Sequence, residues 1–230
     1  MKMSDDPQRV AVEPQRIAVF DVDRTLIIGT SAEEELIHLL RRMKIISIGH
    51  VTKNFAAMAR QIPHGFVQVV KQKSVYLKDM EVSLIRRLFE ELYENDLQKR
   101  LSKQMLEQME RLREEGYKIW LLSGTLDFIV DHMIEKLQTD GGIGSPLEIT
   151  DGRFTGQIAG IHPYYHEKVR ALKETFRGCD IDYRNSWSFG DSWADIPQLT
   201  LFGTPVAVNP GWRLRLEAKR RGWRIVEERL

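Results

Sequence analysis

Two aspartates separated by one residue, Asp21 and Asp23, directly follow a short apolar run. Carboxylates held this close repel each other, and the repulsion grows as the local dielectric falls, so the pair needs a compensating charge. A Mg²⁺ ion often supplies that charge, because it prefers hard oxygen ligands. Each aspartate could instead be a helix N-cap or part of an Asx turn at a strand end. The pair alone leaves a metal site and a structural role both open.

A second acidic pair, Asp191 and Asp195, follows Gly190 at the end of another apolar run. Asp191 could supply a further carboxylate to the same ion. Asp195 could hold a metal-bound water or orient a neighbouring side chain. The structural alternatives are the same as for the first pair.

Ser123, Gly124 and Thr125 lie between a third apolar run and a helix predicted to start near residue 126 or 127. A hydroxyl and free backbone N–H groups at a helix N-terminus form an anion site suited to phosphate oxygens. Lys168, near the start of another predicted helix, could neutralise a carboxylate and a phosphate. Taken singly, Ser123 is more often a simple helix cap and Lys168 is usually a surface lysine.

The apolar runs before these polar groups predict strands that are buried on both faces, as in a parallel sheet. The runs are residues 17–20, 117–122, 186–189 and, more weakly, 205–208. Helical stretches alternate with them, which predicts an α/β fold with a doubly wound, Rossmann-like parallel sheet. Because ligands of such sheets bind at the carboxyl ends of the strands, we expect the polar groups to meet there.

The interval from residue 30 to residue 116 contains predicted helices with no convincing strand between them. Ser31 and Glu34 have the spacing of a capping box at the start of the first helix. The further helical stretches are residues 51–60, 65–77, 82–93 and a long helix that carries Leu97, Leu101, Met105, Met109 and Leu112. Gly116 can end that last helix.

We interpret residues 30–96 as a helical cap inserted after the first strand, and residues 1–29 and 97–230 as the α/β core. A β-hairpin is predicted between the second and third strands. Its signal is Asp151-Gly152 between two alternating runs, since this dipeptide supplies the positive φ angles of a type I′ turn.

The composition argues against several classes of partner. Lys and Arg total 34 against 33 Asp and Glu, a net charge of +1 that gives no global field for nucleic acid. No stretch approaches the ~20 apolar residues of a membrane span, and residues 1–14 do not resemble a signal peptide. The basic segment 212–224 is interpreted as the solvated face of a terminal helix rather than a membrane or nucleic-acid contact. With a single cysteine, Cys179, the chain is expected to be cytoplasmic.

Four motifs in chain order resemble those of the haloacid dehalogenase superfamily of hydrolases. They are Asp21-Val22-Asp23-Arg24-Thr25, Ser123-Gly124, Lys168, and Gly190-Asp191 with Asp195. The helical insertion and the hairpin are similar to the phosphoserine phosphatase branch. The closing segment 205–210, which leads to Arg221-Gly222-Trp223, is also similar to hydrolases placed in subfamily IB. The resemblance implies hydrolysis of a phosphomonoester through a phosphoaspartyl intermediate.

The same resemblance implies a role for each residue. Asp21 attacks phosphorus, and Asp23 donates a proton to the leaving oxygen and later accepts one from water. Thr25 orients the loop or Asp21, and Asp195 has a supporting role. Mg²⁺ is held by the Asp21 carboxylate, the Asp23 backbone carbonyl and Asp191. The residues implied to bind the phosphate are Ser123, Gly124 and Lys168.

The chain departs from true phosphoserine phosphatases in the predicted cap. Those enzymes carry a Glu that holds the substrate ammonium, whereas this chain has Thr30 at about that position. Glu33, Glu34 and Glu35 are interpreted as a helix first turn favoured by the dipole. Thr30 and Lys73 remain candidate substrate contacts, although a solvated lysine is the more usual explanation of Lys73. The expected substrate is a small phosphorylated metabolite of unspecified identity.

His162 and His166 have the i, i+4 spacing of a metal pair if they lie on a helix. Pro163 between them predicts a loop instead, and no third soft ligand is evident. We therefore predict no zinc site.

Two other functions remain compatible with the motifs. A phosphotransferase or mutase would use the same residues and return the phosphoryl group to an organic acceptor. A catalytically silent phospho-ligand-binding module would have no need of both a nucleophile and an acid–base residue. The sequence does not predict the oligomeric state.

Overall fold

The computed structural model describes residues 14–46 and 74–228. Its strands are β1 (Ile17–Phe20), β2 (Lys118–Leu126), β3 (Gly141–Ser145), β4 (Leu147–Thr150), β5 (Arg153–Ile158), β6 (Trp187–Gly190), β7 (Thr204–Val208) and β8 (Arg224–Val226). Its helices are α1 (Ala32–Arg42), α2 (Val82–Asn95), α3 (Lys103–Glu114), α4 (Asp127–Leu137), α5 (His166–Thr175), α6 (Ile196–Leu201) and α7 (Trp212–Arg221). None of these helices has the length and apolar character needed to cross a membrane.

Six strands form one parallel sheet in the order β3-β2-β1-β6-β7-β8, and β4 and β5 form a separate antiparallel pair. The side chains of β1 alternate between two apolar cores, because Ala18 and Phe20 belong to one cluster and Ile17 and Val19 to another. A strand buried on both faces needs a continuous apolar run. The predicted α/β fold with a doubly wound parallel sheet is therefore confirmed.

The hairpin is also confirmed. Asp151 and Gly152 both have positive φ angles, of 49° and 73°, between the antiparallel strands β4 and β5. This is the backbone conformation that a type I′ turn requires. Because β4 starts two residues after β3 ends, the hairpin projects from the carboxyl end of an edge strand of the sheet.

Strand β3 is absent from the sequence prediction. Its sequence, Gly141-Gly142-Ile143-Gly144-Ser145, contains three glycines and has low strand propensity. The glycines are needed because neighbouring groups approach closely. A Cβ at Gly141 would lie 2.7 Å from the Trp120 ring, and one at Gly144 would lie 2.7 Å from the Asp127 Cα. Close packing therefore selects residues that a propensity argument rejects.

The prediction of one long helix that begins at about Leu97 is wrong at its start. Leu97–Arg100 form a 3₁₀ turn, and α3 begins only at Lys103, where the Ser102 hydroxyl accepts a hydrogen bond from the Met105 N–H. Two backbone hydrogen bonds tie this segment to the chain beyond β1: Ser102 N–H donates to the Leu26 carbonyl, and Ile28 N–H donates to the Arg100 carbonyl. These tertiary contacts interrupt an apolar spacing that is otherwise helical.

The other predicted helix starts are supported where they are described. Ser31 is the N-cap of α1, and its hydroxyl accepts a hydrogen bond of 3.2 Å from the Glu34 N–H. The stretch predicted from residue 82 is α2. The predicted helix 51–60 and most of the predicted helix 65–77, including Lys73, lie outside the described residues.

Candidate active site

The two acidic motifs, which follow β1 and β6, meet where the strand order of the sheet reverses. Strands β1 and β6 are neighbours in the sheet, and their connections run in opposite directions away from this junction. Phe20 pairs with Phe189, their rings stack 4.1 Å apart, and the Asp21 N–H donates to the Phe189 carbonyl at 3.0 Å. This pairing places the residues after both strands side by side, at the position where open α/β sheets bind ligands.

Three carboxylates gather at this junction. Asp21, Asp191 and Asp195 each offer an oxygen, and these oxygens lie within 4.8 Å of one another. Asp21 is only 5% exposed and Asp195 only 1%. Buried carboxylates this close are unfavourable unless cations accompany them.

Lys168 is the cation that the protein itself supplies. Its ammonium group donates to Asp21 Oδ1 at 2.7 Å, to Asp195 Oδ1 at 2.5 Å and to the Leu122 carbonyl at 3.3 Å. A lysine ammonium has three hydrogens, so these contacts use all of its donors. The lysine that the sequence leaves as a possible surface residue is 3% exposed and bridges two of the three acidic side chains.

The second oxygen of Asp21 is also held. The Thr25 hydroxyl, which is fully buried, donates to Asp21 Oδ2 at 3.2 Å. Thr25 and Lys168 thus hold one carboxylate oxygen each, and together they restrict rotation of the Asp21 side chain. The contact agrees with the predicted orienting role of Thr25.

Asp195 has the geometry of an orienting residue. Its Oδ2 accepts hydrogen bonds from both the N–H and the hydroxyl of Ser192, each at 2.9 Å, while its Oδ1 accepts from Lys168. Gly190 is required beside it, since a Cβ there would lie 2.6 Å from the Asp195 Cβ. Of the two roles that the sequence leaves open for Asp195, these contacts favour orientation of Lys168 and of the loop after β6.

The charges of the cluster shift one another's ionisation. Burial raises the pKa of Asp21 to about 7, with help from the charges of Asp195 and Asp23 and against the opposing charge of Lys168. Burial, Asp21 and Asp195 raise the pKa of Asp191 to about 8. Burial alone would lower the pKa of Lys168, but Asp195 and Asp21 more than offset it and hold that pKa above its ordinary value.

The donor set fits a Mg²⁺ ion. Asp21 and Asp191 offer hard carboxylate oxygens close together, and Lys168 supplies a single positive charge among three carboxyl groups, so it does not by itself balance their negative charge. A divalent cation would complete that balance. Both carboxyl groups must lose their protons when they bind such an ion.

Mg²⁺ affinity is therefore expected to rise with pH between about 6 and 8, by up to roughly tenfold per pH unit for each proton displaced. Because the pKa values of about 7 and about 8 lie above the ordinary 3.8, the metal-free fold binds more protons than the unfolded chain from about pH 4 upward. The free energy of unfolding of the metal-free protein should consequently fall as the pH rises from about 4 to about 8.

Calorimetric Mg²⁺ titrations at about pH 6 and pH 8, in buffers of different ionisation enthalpy, measure the affinity and the protons released. Asp191→Asn should lose the proton release and the part of the pH dependence that Asp191 contributes, and Asp131→Asn, an exposed position on α4, should keep both. A Mg²⁺ affinity that does not change with pH would contradict the assignment of these carboxylates as ligands.

Asp23 is held by the first helix after β1. Its Oδ1 accepts a hydrogen bond of 2.8 Å from the N–H of Ala32, the first residue of α1. The carboxylate is half-buried. The N-terminus of α1 therefore fixes the orientation of the side chain predicted to move protons.

The predicted phosphate-binding residues lie at the end of β2, which continues through Leu126 instead of ending at Leu122. Ser123 is 1% exposed, and its hydroxyl accepts from the Thr125 N–H at 3.2 Å. Lys168 contacts the same strand at the Leu122 carbonyl. The structure thus brings Ser123 and Gly124 next to the lysine that holds Asp21.

The cap residues have partners that the sequence does not reveal. The Thr30 hydroxyl donates to Glu35 Oε1 at 2.8 Å, so one of the two proposed cap contacts is already engaged. Glu33 is not simply a solvated first-turn residue, because it is 4% exposed and accepts a hydrogen bond of 3.2 Å from the Tyr76 hydroxyl. Burial and the nearby Glu33 raise the pKa of Tyr76 well above its ordinary value.

Two polar residues next to Ser123 and Gly124 are given no role at the site by the sequence prediction. The Thr125 hydroxyl is buried and has no hydrogen-bond partner among residues 14–46 and 74–228. His162 lies beside Gly124, linked to it through Ser145. The one available signal for Thr125 is its place in the motif, and His162 is 38 positions away from Gly124 in the chain.

Comparison with known proteins agrees with this architecture. Phosphoserine phosphatase SerB1 of Mycobacterium tuberculosis is 25% identical over 218 residues, which cover 93% of this chain and 71% of that protein. A phosphoserine phosphatase of Archaeoglobus fulgidus is 29% identical over 195 residues, 85% of this chain and 53% of that protein. A crystal structure of a Bordetella pertussis Tohama I protein with unknown function has the same fold, with a TM-score of 0.80 at 22% identity over 93% of this chain and 98% of that one.

The match to a protein-family model establishes the family of this chain. The model of the haloacid dehalogenase-like hydrolases matches residues 18–200, a segment that runs from β1 to α6 and contains all four motifs. The chain therefore belongs to the haloacid dehalogenase-like hydrolases and resembles the members of that family called phosphoserine phosphatases.

Proposed function

We propose that this protein is a Mg²⁺-dependent phosphomonoester hydrolase that forms a phosphoaspartyl intermediate on Asp21. The observation that carries the proposal is the buried Asp21 carboxylate, held by Lys168 and Thr25 beside Asp191. A structural aspartate needs no cluster of neighbouring carboxylates that raises its own pKa. A nucleophile that faces a phosphate benefits from fixed orientation and from nearby positive charge.

The first step transfers the phosphoryl group to the protein. An Asp21 oxygen forms a bond to phosphorus while the bond from phosphorus to the ester oxygen breaks, and Asp23 donates a proton to the departing alkoxide. In the second step a water oxygen attacks phosphorus, Asp23 takes the proton of that water, and the acyl phosphate bond breaks. Inorganic phosphate leaves, and both aspartates return to their starting states.

Mg²⁺, bound by the carboxylates of Asp21 and Asp191 and the backbone carbonyl of Asp23, would reduce the repulsion between the anionic nucleophile and the anionic phosphate. Ser123 and Gly124 would donate to the phosphate oxygens. Since all three hydrogens of Lys168 are already engaged, we expect its weakest contact, at 3.3 Å to the Leu122 carbonyl, to give way to a phosphate oxygen.

The division into a core (residues 1–29 and 97–230) and a cap (residues 30–96) forms part of the same proposal. The cap would exclude bulk water and select the leaving group, and Thr30 and Lys73 are candidates for that contact. The substrate would be a small phosphorylated metabolite. The single cysteine, Cys179, is exposed and fits a protein of the reducing cytoplasm.

Ala32→Pro tests the role of Asp23 through its backbone donor. Proline is favoured at the first position of a helix, so α1 should persist while the N–H that donates to Asp23 is lost. Misplacement of the acid–base group should lower kcat by about 10- to 100-fold. Ala32→Gly keeps the N–H and is the matched control. Circular dichroism checks the helix content, and a proline variant within twofold of wild-type kcat would refute the positioning role.

The proposed activity is tested by phosphate release from a panel of phosphomonoesters, with Mg²⁺ and with a chelator. The panel includes phosphorylated amino acids, sugars, lipid head groups and nucleotides. We expect turnover that requires Mg²⁺, together with a phosphorylated protein that is trapped by acid quenching and hydrolysed by hydroxylamine, as an acyl phosphate is. Transfer of phosphate to an organic acceptor in place of water would identify a phosphotransferase, and no turnover of any phosphomonoester would overturn the proposal.

A further inference from the structure

Four aromatic side chains form a continuous array next to the site, which we call the aromatic wall: His162, Tyr164, Tyr165 and Trp193. The His162 and Tyr164 rings stack with centroids 6.0 Å apart. The centre of the Trp193 ring lies 6.0 Å from that of Tyr164 and 5.0 Å from that of Tyr165. The wall thus joins the loop before α5 to the loop after β6, and neither loop alone would form it.

One end of the wall is attached to the predicted phosphate-binding loop. The Ser145 hydroxyl donates to the Gly124 carbonyl at 2.7 Å, and His162 Nδ1 lies 2.6 Å from the same Ser145 oxygen. Because Ser145 has one hydroxyl hydrogen, Nδ1 of His162 must be the donor in the second contact. The His162 ring lies against Gly124, with its Cε1 3.7 Å from the position that a Gly124 Cβ would take.

The other end of the wall adjoins the acidic cluster. Trp193 is two residues after Asp191, and Tyr165 is three residues before Lys168. The Gly211 N–H donates to the Asp191 carbonyl at 2.9 Å, which holds the start of α7 against the same loop. The segments that carry the wall therefore adjoin the phosphate-binding loop at one end and lie within three residues of Asp191 and Lys168 in the sequence at the other.

The backbone at Tyr165 is strained in a way that favours the wall. Its φ of 54° and ψ of −122° lie in a region that suits glycine and disfavours a residue with a Cβ. Glycine would relieve the strain but would delete the ring that packs on Trp193. Backbone strain that is kept beside a candidate site, where glycine would relieve it, favours a role for the side chain that requires it.

Part of the wall is open to solvent, and a cation lies beside it. Trp193 is 36% exposed although it contacts two tyrosines. The Arg213 guanidinium lies 5.8 Å from the Trp193 ring centre, so positive charge already occupies that neighbourhood. A leaving group with an ammonium would be repelled by Arg213, whereas a flat uncharged ring would stack on the exposed indole.

We propose that the aromatic wall is a leaving-group subsite that selects phosphomonoesters of alcohols bearing an aromatic or heteroaromatic ring. The inference rests on the proposed phosphatase function and narrows its substrate class. It assigns Trp193 as a specificity-determining residue, with Tyr165 and His162 as the groups that position the wall.

Binding of two phosphonates with Mg²⁺ tests the subsite without turnover. Benzylphosphonate and cyclohexylmethylphosphonate have similar size and differ in the aromaticity of the ring. The wild type should bind the benzyl compound about 3- to 10-fold more tightly, the range expected for one aromatic pair. Trp193→Leu should bring the ratio of the two dissociation constants to about 1. Trp212→Leu is the matched control, since Trp212 is 71% exposed and also lies against Arg213 but makes no ring contact with the wall.

A wild-type ratio near 1, a ratio that persists in Trp193→Leu, or no binding of either phosphonate would overturn the subsite. Thermal unfolding checks that Trp193→Leu is folded, and Tyr164→Leu provides a second variant if it is not. Turnover of benzyl and cyclohexylmethyl phosphate separates the two proposals. Hydrolysis of both at equal kcat/KM would refute the subsite alone, whereas ring-selective binding without hydrolysis of any ester would refute the phosphatase function alone.

Discussion

Replacing Asp21 by Asn is expected to lower Mg²⁺-dependent phosphate release from a generic aryl phosphate by at least about 10⁴-fold. A neutral amide oxygen cannot form the acyl phosphate, and it is a poor ligand for a hard divalent cation. The expected loss is therefore in kcat and not only in substrate affinity.

The same variant should remain folded. Asn keeps the shape of Asp, so its Oδ1 can still accept from Lys168, and its amide can donate to the Thr25 oxygen. Burial, together with the charges of Asp195 and Asp23, raises the pKa of Asp21 to about 7 in the metal-free protein, so the substitution also removes an unfavourable charge. We expect a free energy of unfolding equal to or above that of the wild type when Mg²⁺ is absent.

Phosphate release and urea unfolding, measured on the same preparation, check both parts of this prediction. Asp131→Asn, an exposed carboxylate on α4, is the matched control and should behave as the wild type. Should folded Asp21→Asn retain a tenth or more of the wild-type activity, Asp21 is not the nucleophile.

Replacing Lys168 by Met should have the largest effect on stability. Lys168 is 3% exposed and holds Asp21 and Asp195 through short hydrogen bonds. Without it, two buried carboxylates lose their cation, and removal of one partner of a buried ion pair costs about 3–5 kcal/mol. Mg²⁺ should recover part of this loss, since it would neutralise the same carboxylates.

Urea unfolding of Lys168→Met with and without Mg²⁺ measures that recovery. Lys173→Met lies on the same helix with an exposed side chain and is the control. In the double variant with Asp21→Asn, the lysine replacement should cost less than it does alone, because one of the stranded charges is gone. A loss below about 1 kcal/mol that is independent of Mg²⁺ would contradict a charge-balancing role for Lys168.

Local signals in the sequence predict most of the sheet and all of the motifs. Strands β1, β2 and β6 appear as mainly apolar runs because a strand buried on both faces has few polar positions. The hairpin is predicted because Asp151 and Gly152 tolerate positive φ angles. Each of these signals lies within a few neighbouring residues, so no tertiary information is needed to detect it.

Features that depend on close approach between distant segments are not predicted. β3 forms because Gly141, Gly142 and Gly144 fit under Trp120, Val130 and Asp127, and only the packed structure shows that fit. The late start of α3 depends on hydrogen bonds from Ser102 and Ile28 across the inserted segment. A long apolar spacing continues through Leu97 and Leu101, so periodicity alone predicts one uninterrupted helix there.

The roles within the candidate site divide in the same way. The sequence by itself determined which residue types could do the chemistry: the paired aspartates of the first motif, Ser123, Lys168 and the acidic pair after β6. Only the tertiary structure decided that Lys168 links Asp21 to Asp195 and that aromatic rings separated in sequence form one wall. A motif fixes chemistry through neighbours along the chain, whereas ion pairs and ring contacts depend on distances that arise only when β1, β6 and the loop before α5 pack together.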